Sequence, residues 1–152
     1  MSMPSGVDIT DECITAFRNL LFSRRPNKST FVIYKISDDK KSVVVDETSA
    51  ETDYEVFVEK LTSARDSAGR RAPRYAVYDV KYDLKDDGQR ATAVFISWVP
   101  DETSAQNRML YAATKEHFRR AIDVKVSIHA DDVSDIEWKS VLKEASGGRI
   151  QG

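Results

Sequence analysis

The sequence predicts a mixed α/β fold in which helices cover both faces of one sheet, and three observations support this. Apolar residues recur at helical spacing in several segments, most extensively over residues 103–122. Short runs rich in β-branched and aromatic residues lie between them. Residues 91–99 are apolar at nearly every position, which is typical of a strand covered on both faces. A chain of 152 residues is also long enough for one domain with one core.

The first elements are a helix and a hairpin. Asp11 and Glu12 suit the first turn of a helix, where negative charge opposes the positive end of the helix dipole, and Pro26 ends the segment. Residues 31–36 and 42–45 are β-branched runs separated by a polar turn. We therefore expect the first two strands to form an antiparallel hairpin.

The middle of the chain predicts a short helix and a second hairpin. Residues 54–61 place their apolar side chains on one helical face. Residues 62–73 contain three arginines and are interpreted as a solvated loop without a function. Residues 74–82 and 91–99 are strand-like, and the charged segment 84–88 between them is expected to project as a hairpin loop.

The last third predicts a long helix, a strand and a final helix. Residues 103–122 lack Pro and Gly, and Thr103 and Ser104 are candidate N-caps. Residues 124–128 form the last strand and 134–145 the last helix. We expect one domain over residues 5–146, with flexible termini at residues 1–4 and 147–152.

Composition excludes several classes of protein. The net charge of −2 argues against a general polyanion binder, so nucleic acid is not an expected partner. No apolar stretch approaches the roughly 20 residues of a membrane-spanning helix. A single cysteine and two histidines predict neither a disulfide nor a metal cluster. We expect a cytoplasmic protein without cofactors.

The long helix has two different faces on a helical projection. Arg108, Ala112, Lys115 and Arg119 form a largely basic stripe, and Leu110, Ala113, His117 and Ala121 fall opposite. The apolar arc is extended by Tyr111, Phe118 and Ile122. Met109, Glu116 and Arg120 lie on the flank, and His117 is interpreted as a packed core histidine. A flexible methionine beside a basic rim suits a helix that inserts into a partner's groove. Periodicity alone leaves a solvated face equally open.

Three motifs in sequence order resemble the ADF/cofilin family. They are RYAVYD at residues 74–79, FISWVPD at 95–101 and RMLYAATK at 108–115, with further agreement at 5–7, 47–49 and 119–120. The resemblance covers about residues 5–145. It implies the ADF-homology, or gelsolin-like, fold, with a five-stranded mixed sheet between helices. It also implies a monomeric, non-enzymatic protein that binds G-actin and F-actin and severs or depolymerises filaments.

The resemblance also implies which residues act. The monomer side of the actin-binding surface would consist of Ser5, Gly6, Val7, Arg108, Met109, Lys115, Glu116, Arg119 and Arg120. Arg90 would contact the second actin subunit of a filament, and phosphorylation of Ser5 would weaken binding by adding negative charge. The basic face would also meet phosphoinositides. The implied location is the actin cytoskeleton of the cytoplasm, with a nuclear fraction.

Three alternatives remain at this stage. An enzyme is disfavoured because the sequence has no Gly-rich phosphate loop and no nucleophile elbow. A nucleic-acid platform would need exposed aromatic rings on the strands, with candidates at Tyr75, Tyr78, Tyr82 and Phe95. Within the family, a protein that binds actin monomers, filament sides or the branching complex, with weak or no severing, is the third. Thr92 and Gln106, which replace frequent basic residues of the family, favour it.

Overall fold

A computed structural model describes residues 6–26 and 28–150 of the chain. The elements, in chain order, are β1 (Asp8–Ile9), α1 (Asp11–Phe22), β2 (Phe31–Ile36), β3 (Ser42–Ser49), α2 (Tyr54–Thr62), β4 (Arg74–Leu84), β5 (Gly88–Trp98), α3 (Ala105–Ile122), β6 (Val126–Ala130), a 3₁₀ helix (Val133–Ile136) and α4 (Trp138–Ala145). The predicted mixed α/β class is confirmed.

The strands form one mixed sheet in the order β1-β3-β2-β4-β5-β6. The two predicted hairpins are present as antiparallel pairs, β2 with β3 and β4 with β5. The edge strands β1 and β6 pair parallel to β3 and β5. The five predicted strands are all found, and the two-residue β1 is a sixth that the sequence did not reveal.

Helices cover both faces of the sheet, as the apolar strand β5 predicted. On one face α1 and α3 pack through Phe17, Leu20, Tyr111, Phe118 and Ile122. On the other face α2 and α4 pack through Phe57, Leu61, Val141 and Ala145. The four strand aromatics that a nucleic-acid platform would need are buried in these two layers, so no ring among them is open to a base.

The C-terminal helix differs from its prediction. The sequence predicts one helix over residues 134–145, but a 3₁₀ turn ends at Ile136 and α4 begins at Trp138. The Asp132 side chain accepts from the Ser134 N–H at 3.0 Å, and the Asp135 side chain accepts from the Asp132 N–H at 3.2 Å. Glu137 then adopts an extended conformation. The capping box therefore starts the 3₁₀ turn, and the extended Glu137 ends it and precedes α4.

The termini and the loop 62–73 are held by local hydrogen bonds where the structure describes them. The Asp66 side chain accepts from the N–H groups of Ala68 and Arg70 and closes the loop's turn. The Ser146 hydroxyl accepts from the Ile150 N–H at 2.9 Å. Residues 1–5 and 151–152 lie outside the described residues, so flexible termini stay a prediction.

The single cysteine is part of the core. Cys13 is buried on α1, and its thiol donates to the Val43 carbonyl at 3.3 Å. Burial raises the pKa of this thiol to about 11, since the charged thiolate would lose its hydration. Among the described helices, none combines the length and the apolar character that crossing a bilayer requires.

Candidate interaction surface

Helix α3 is anchored to the sheet at its first turns. The Ser104 hydroxyl caps the helix by accepting from the Asn107 N–H at 3.2 Å. The Tyr111 hydroxyl accepts from the Ile36 N–H at 2.9 Å. At Ile36, β2 extends beyond the first residue of β4 and is no longer paired with that strand. The Tyr75 hydroxyl donates to the Tyr111 carbonyl. These bonds fix the height and rotation of α3 on the sheet.

The buried face of α3 contains Tyr111, Phe118 and Ile122 of the predicted apolar arc, but it is rotated away from the predicted centre of that arc. Its buried residues are Tyr111, Thr114, Phe118 and Ile122, whereas Ala113 and Ala121 are exposed and His117 is only half-buried. The large rings of Tyr111 and Phe118 decide the rotation, because they fill the space between α3 and the strands and contact Tyr75. The interpretation of His117 as a core residue is therefore wrong.

This rotation places Met109 at the centre of the outward face. Met109 is 73% exposed, and Glu116 and Arg120 follow it on the same row of the helix, at positions i+7 and i+11. Arg108 is exposed beside it, and Lys115 is half-buried. The helical projection of the sequence predicted Met109 on the flank of a basic stripe. In the structure, Met109 lies instead in the middle of the exposed surface of α3.

The cations of α3 divide into two groups. Arg119 is bound within the molecule, since its guanidinium donates to Glu116 at 2.7 Å and to the Val124 carbonyl at 2.8 Å. The hydrogen bond from Arg119 lowers the pKa of the Glu116 carboxyl. Among the described residues, the hydrogen-bond acceptors of Arg108 are the carbonyl oxygens of Pro100 and Asp101, both at 3.3 Å.

Three cations of α3 lie outside the Arg119–Glu116 ion pair, although the charges of Lys115 and Arg120 still help to lower the pKa of the Glu116 carboxyl. Arg108, Lys115 and Arg120 form no ion pair with any residue in the ranges that the structure describes. Arg108 adjoins the exposed Met109, and Lys115 and Arg120 follow it at about 9 and 16 Å along the helix axis. Such a surface can insert an apolar group into a cleft while its rim cations pair with carboxylates of a partner.

The N-terminal segment runs beside the edge of the sheet. Gly6 is exposed with φ +76°, which favours glycine, and the Asp8 N–H donates to the Lys41 carbonyl at 2.8 Å. Val7 is fully buried in the α1–α3 core, so its side chain anchors the segment. The contact role of Gly6 stays a prediction, and Ser5 lies outside the described residues.

Arg90 lies at the opposite end of the molecule. It pairs with Tyr82 in the β4–β5 hairpin, and its guanidinium donates to the carbonyls of Asp87 and Gln89 at 2.6 and 3.1 Å. The hairpin extends beyond its neighbours, because β6 pairs with β5 only from Val94 onward. The distance along the hairpin from the Arg74–Trp98 pair, near Arg108, to the Tyr82–Arg90 pair is about 26 Å at roughly 3.3 Å per residue.

Comparison with known proteins identifies relatives of this arrangement. A family model described as cofilin/tropomyosin-type actin-binding protein matches residues 6–146. The chain is 41% identical to a cofilin of Gibberella zeae over 150 residues, covering 95% of this chain and 96% of that one. It is 35% identical to a cofilin of Saccharomyces cerevisiae over 146 residues, covering 95% of each.

Solved structures of cofilins have the same fold as this chain. The crystal structure of a cofilin from Streptomyces griseoflavus superposes with a TM-score of 0.79 at 28% identity, covering 94% of this chain and 99% of that one. The solution structure of an ADF/cofilin from Trypanosoma brucei gives a TM-score of 0.69 at 30% identity, covering 97% and 99%. Sequence and fold comparisons therefore point to the same set of proteins.

Proposed function

The chain belongs to the ADF/cofilin family of actin-binding proteins, and from this we propose that it binds monomeric and filamentous actin and promotes filament severing and depolymerisation. It acts by binding, without a catalytic step. The observation that carries the proposal is Met109, 73% exposed at the centre of the outward face of α3, with the cations Arg108, Lys115 and Arg120 on the same helix. The family resemblance of residues 108–115 supports an actin contact by this same segment.

On the monomer side, Met109 enters an apolar cleft of actin while Arg108, Lys115 and Arg120 pair with carboxylates at its rim. Glu116 and Arg119 support this surface through their ion pair, which holds the outer row of α3 in place. A buried apolar anchor surrounded by charged residues is how most interfaces concentrate their binding energy. Gly6 and Ser5 would add contacts from the N-terminal segment.

On the filament side, Arg90 contacts the next actin subunit. Roughly 26 Å separate this end of the hairpin from the first turns of α3, and this separation supports contacts with two different subunits. A protein that binds one filament conformation more tightly than another shifts the filament toward that state. Severing then follows from strain between decorated and bare stretches, and the free energy comes from binding alone.

Mutation of the anchor tests the monomer contact. Met109→Ala is expected to lower the affinity for actin monomers by about 10- to 30-fold, since loss of a central apolar anchor costs roughly 1.4–2 kcal/mol. Phe22→Ala removes another apolar side chain, 72% exposed at the end of α1, and is the matched control with an expected change below twofold. Equal affinities of the two variants in a monomer-binding titration would refute the assignment.

Charge substitutions distinguish the monomer contact from the filament contact. Lys115→Glu is expected to weaken monomer binding, whereas Lys139→Glu on α4 leaves it unchanged. Arg90→Ala is expected to reduce cosedimentation with filaments and severing while monomer affinity stays within twofold. If filament lengths do not change at any concentration of the wild-type protein, the alternative within the family holds, namely binding of monomers, filament sides or the branching complex without severing.

The remaining properties extend the proposal. Phosphorylation of Ser5 adds about −1.5 to −2 charge next to the actin contact and weakens it, so Ser5→Asp should bind actin less tightly than the wild type. Phosphoinositides compete with actin for the basic residues of α3. The protein works as a monomer in the actin cytoskeleton of the cytoplasm and also enters the nucleus. Fluorescence imaging of the tagged chain with labelled filaments tests the location.

A further inference from the structure

A cavity opens beside the first turn of α3, away from its outward face. Its volume is about 430 Å³, and it lies between the β2–β3 turn, the loop 62–73 and the start of α3. Four cationic side chains line it, Lys35, Lys40, Arg65 and Arg74, and Asn107 and Tyr111 contribute polar atoms. The size falls within the range of small-molecule sites. The cavity also includes Arg65, one of the three arginines of the loop 62–73.

The charges of the cavity do not cancel. Two carboxylates, Asp38 and Asp66, also line it, so four cations face two anions and a net charge of +2 remains. Asp66 directs both oxygens to its own loop, to the Arg70 N–H at 3.0 Å and the Arg70 guanidinium at 3.1 Å. Arg74 is matched from outside the cavity by Asp46 at 3.0 Å. The excess positive charge therefore belongs to the other three cations, in a chain whose net charge is −2.

Those three cations have only neutral partners within the described part of the chain. Lys40 donates to the Asn107 side-chain oxygen at 3.1 Å. Arg65 donates to the carbonyls of Thr62 and Ala64 at 3.3 and 3.4 Å, which are long hydrogen bonds. Lys35 is half-buried and forms no ion pair with the described residues. An anion in the cavity would pair with all three.

We infer that this cavity binds a small soluble anion bearing phosphate groups. The guanidinium of Arg65 offers a planar pair of donors that matches phosphate oxygens, and the two lysines supply point charges from the other wall. The Asn107 side-chain amide and the backbone of the Ser37 turn add neutral polar groups at the rim. The site is separate from Met109 and Arg120 on the outward face of α3, so the inference does not depend on actin binding.

Pyrophosphate is the probe for the test. It is titrated into the full-length protein at low salt by isothermal calorimetry, and backbone NMR shifts locate the bound anion. Lys35→Ala combined with Arg65→Ala is expected to weaken binding at least 10-fold. Arg24→Ala combined with Lys125→Ala removes the same two charges from exposed positions outside the cavity and is expected to change binding less than twofold.

Two results would overturn the inference. Equal weakening in the two double variants, or NMR shifts centred on Met109 and Arg120, would mean diffuse attraction to basic surface instead of a site in the cavity. Binding of phosphoinositide vesicles that depends on Lys35 and Arg65, with no binding of free pyrophosphate, would assign the cavity to a lipid headgroup. Thermal melts check that both double variants fold. Unchanged actin affinity of the Lys35 and Arg65 double variant keeps the result independent of the proposed function.

Discussion

Replacing Tyr111 by Phe tests how α3 is held on the sheet. The Tyr111 hydroxyl is the acceptor for the buried Ile36 N–H at 2.9 Å, at the point where β2 has no β4 neighbour. Tyr111→Phe keeps the ring, which packs on Tyr75 at 4.9 Å between centroids, and leaves the N–H without an acceptor. An orphaned buried donor costs about 1–3 kcal/mol. For a chain of this size, that corresponds to a fall in Tm of about 3–9 °C.

Tyr34 provides the matched control. Its hydroxyl is also buried, but it has no hydrogen-bond partner among the described residues, and its ring packs against Phe118 at 4.9 Å. Tyr34→Phe removes a polar group that gains nothing in the core, so the free energy of unfolding should stay the same or rise by up to about 1 kcal/mol.

Urea unfolding followed by circular dichroism measures both variants at neutral pH. The expected result is a lower midpoint for Tyr111→Phe, an equal or higher midpoint for Tyr34→Phe, and the same slope with denaturant in all three proteins, because the surface exposed on unfolding does not change. A Tyr111→Phe protein as stable as the wild type, or two variants that lose the same free energy, would refute the hydrogen-bond account of the anchor.

Three further predictions concern stability. Burial raises the pKa of five tyrosines, to about 12 for Tyr78, so these side chains ionise at lower pH in the unfolded chain than in the folded one. Their effect on the free energy of unfolding should be absent below pH 10, and above it each tyrosine should lower that free energy by roughly 1.4 kcal/mol per pH unit. Urea unfolding combined with tyrosinate absorbance measures this. Asp123 ends α3 with φ +59°, so Asp123→Gly should stabilise by up to about 1 kcal/mol and Asp123→Val should destabilise, as thermal melts will show. Phe57→Ala in the fully buried core should cost about 3–5 kcal/mol in urea unfolding, whereas an equal loss in the exposed Phe22→Ala would contradict the burial assigned to the two rings.

The sequence predicted the elements whose physical signal is strong. The apolar run of β5 and the unbroken helical period of α3 each extend over many residues, so one misplaced side chain does not obscure them. Strand β1 has only two residues, Asp8 and Ile9, and a segment that short has no period to detect. Strand β3 was expected to end at Val45 and continues to Ser49, because its polar residues are tolerated near the edge of the sheet, where side chains reach solvent.

The candidate site, like the fold, could be predicted from the sequence only in part. Met109 could be singled out from the sequence as an exposed methionine beside cations, and its exposure is confirmed. The rotation of α3 about its axis could not be predicted. A helical projection gives Ala113 and Tyr111 similar weight, although the ring of Tyr111 buries far more area than the methyl group of Ala113. Thr114 is fully buried because its hydroxyl donates to the Leu110 carbonyl at 2.8 Å, which a polarity count cannot anticipate. The cavity beside Asn107 joins segments far apart in sequence and has no linear signal.

The burial of the single cysteine makes this chain a convenient host for spectroscopic labels. Cys13 is covered by the helix and by Val43, and a maleimide reagent at neutral pH would find almost no thiolate there. Lys85→Cys at the tip of the β4–β5 hairpin would then carry a dye at one defined position without first deleting the native cysteine. Changes in the emission of that dye would report, in real time, when the hairpin end of the molecule meets a filament.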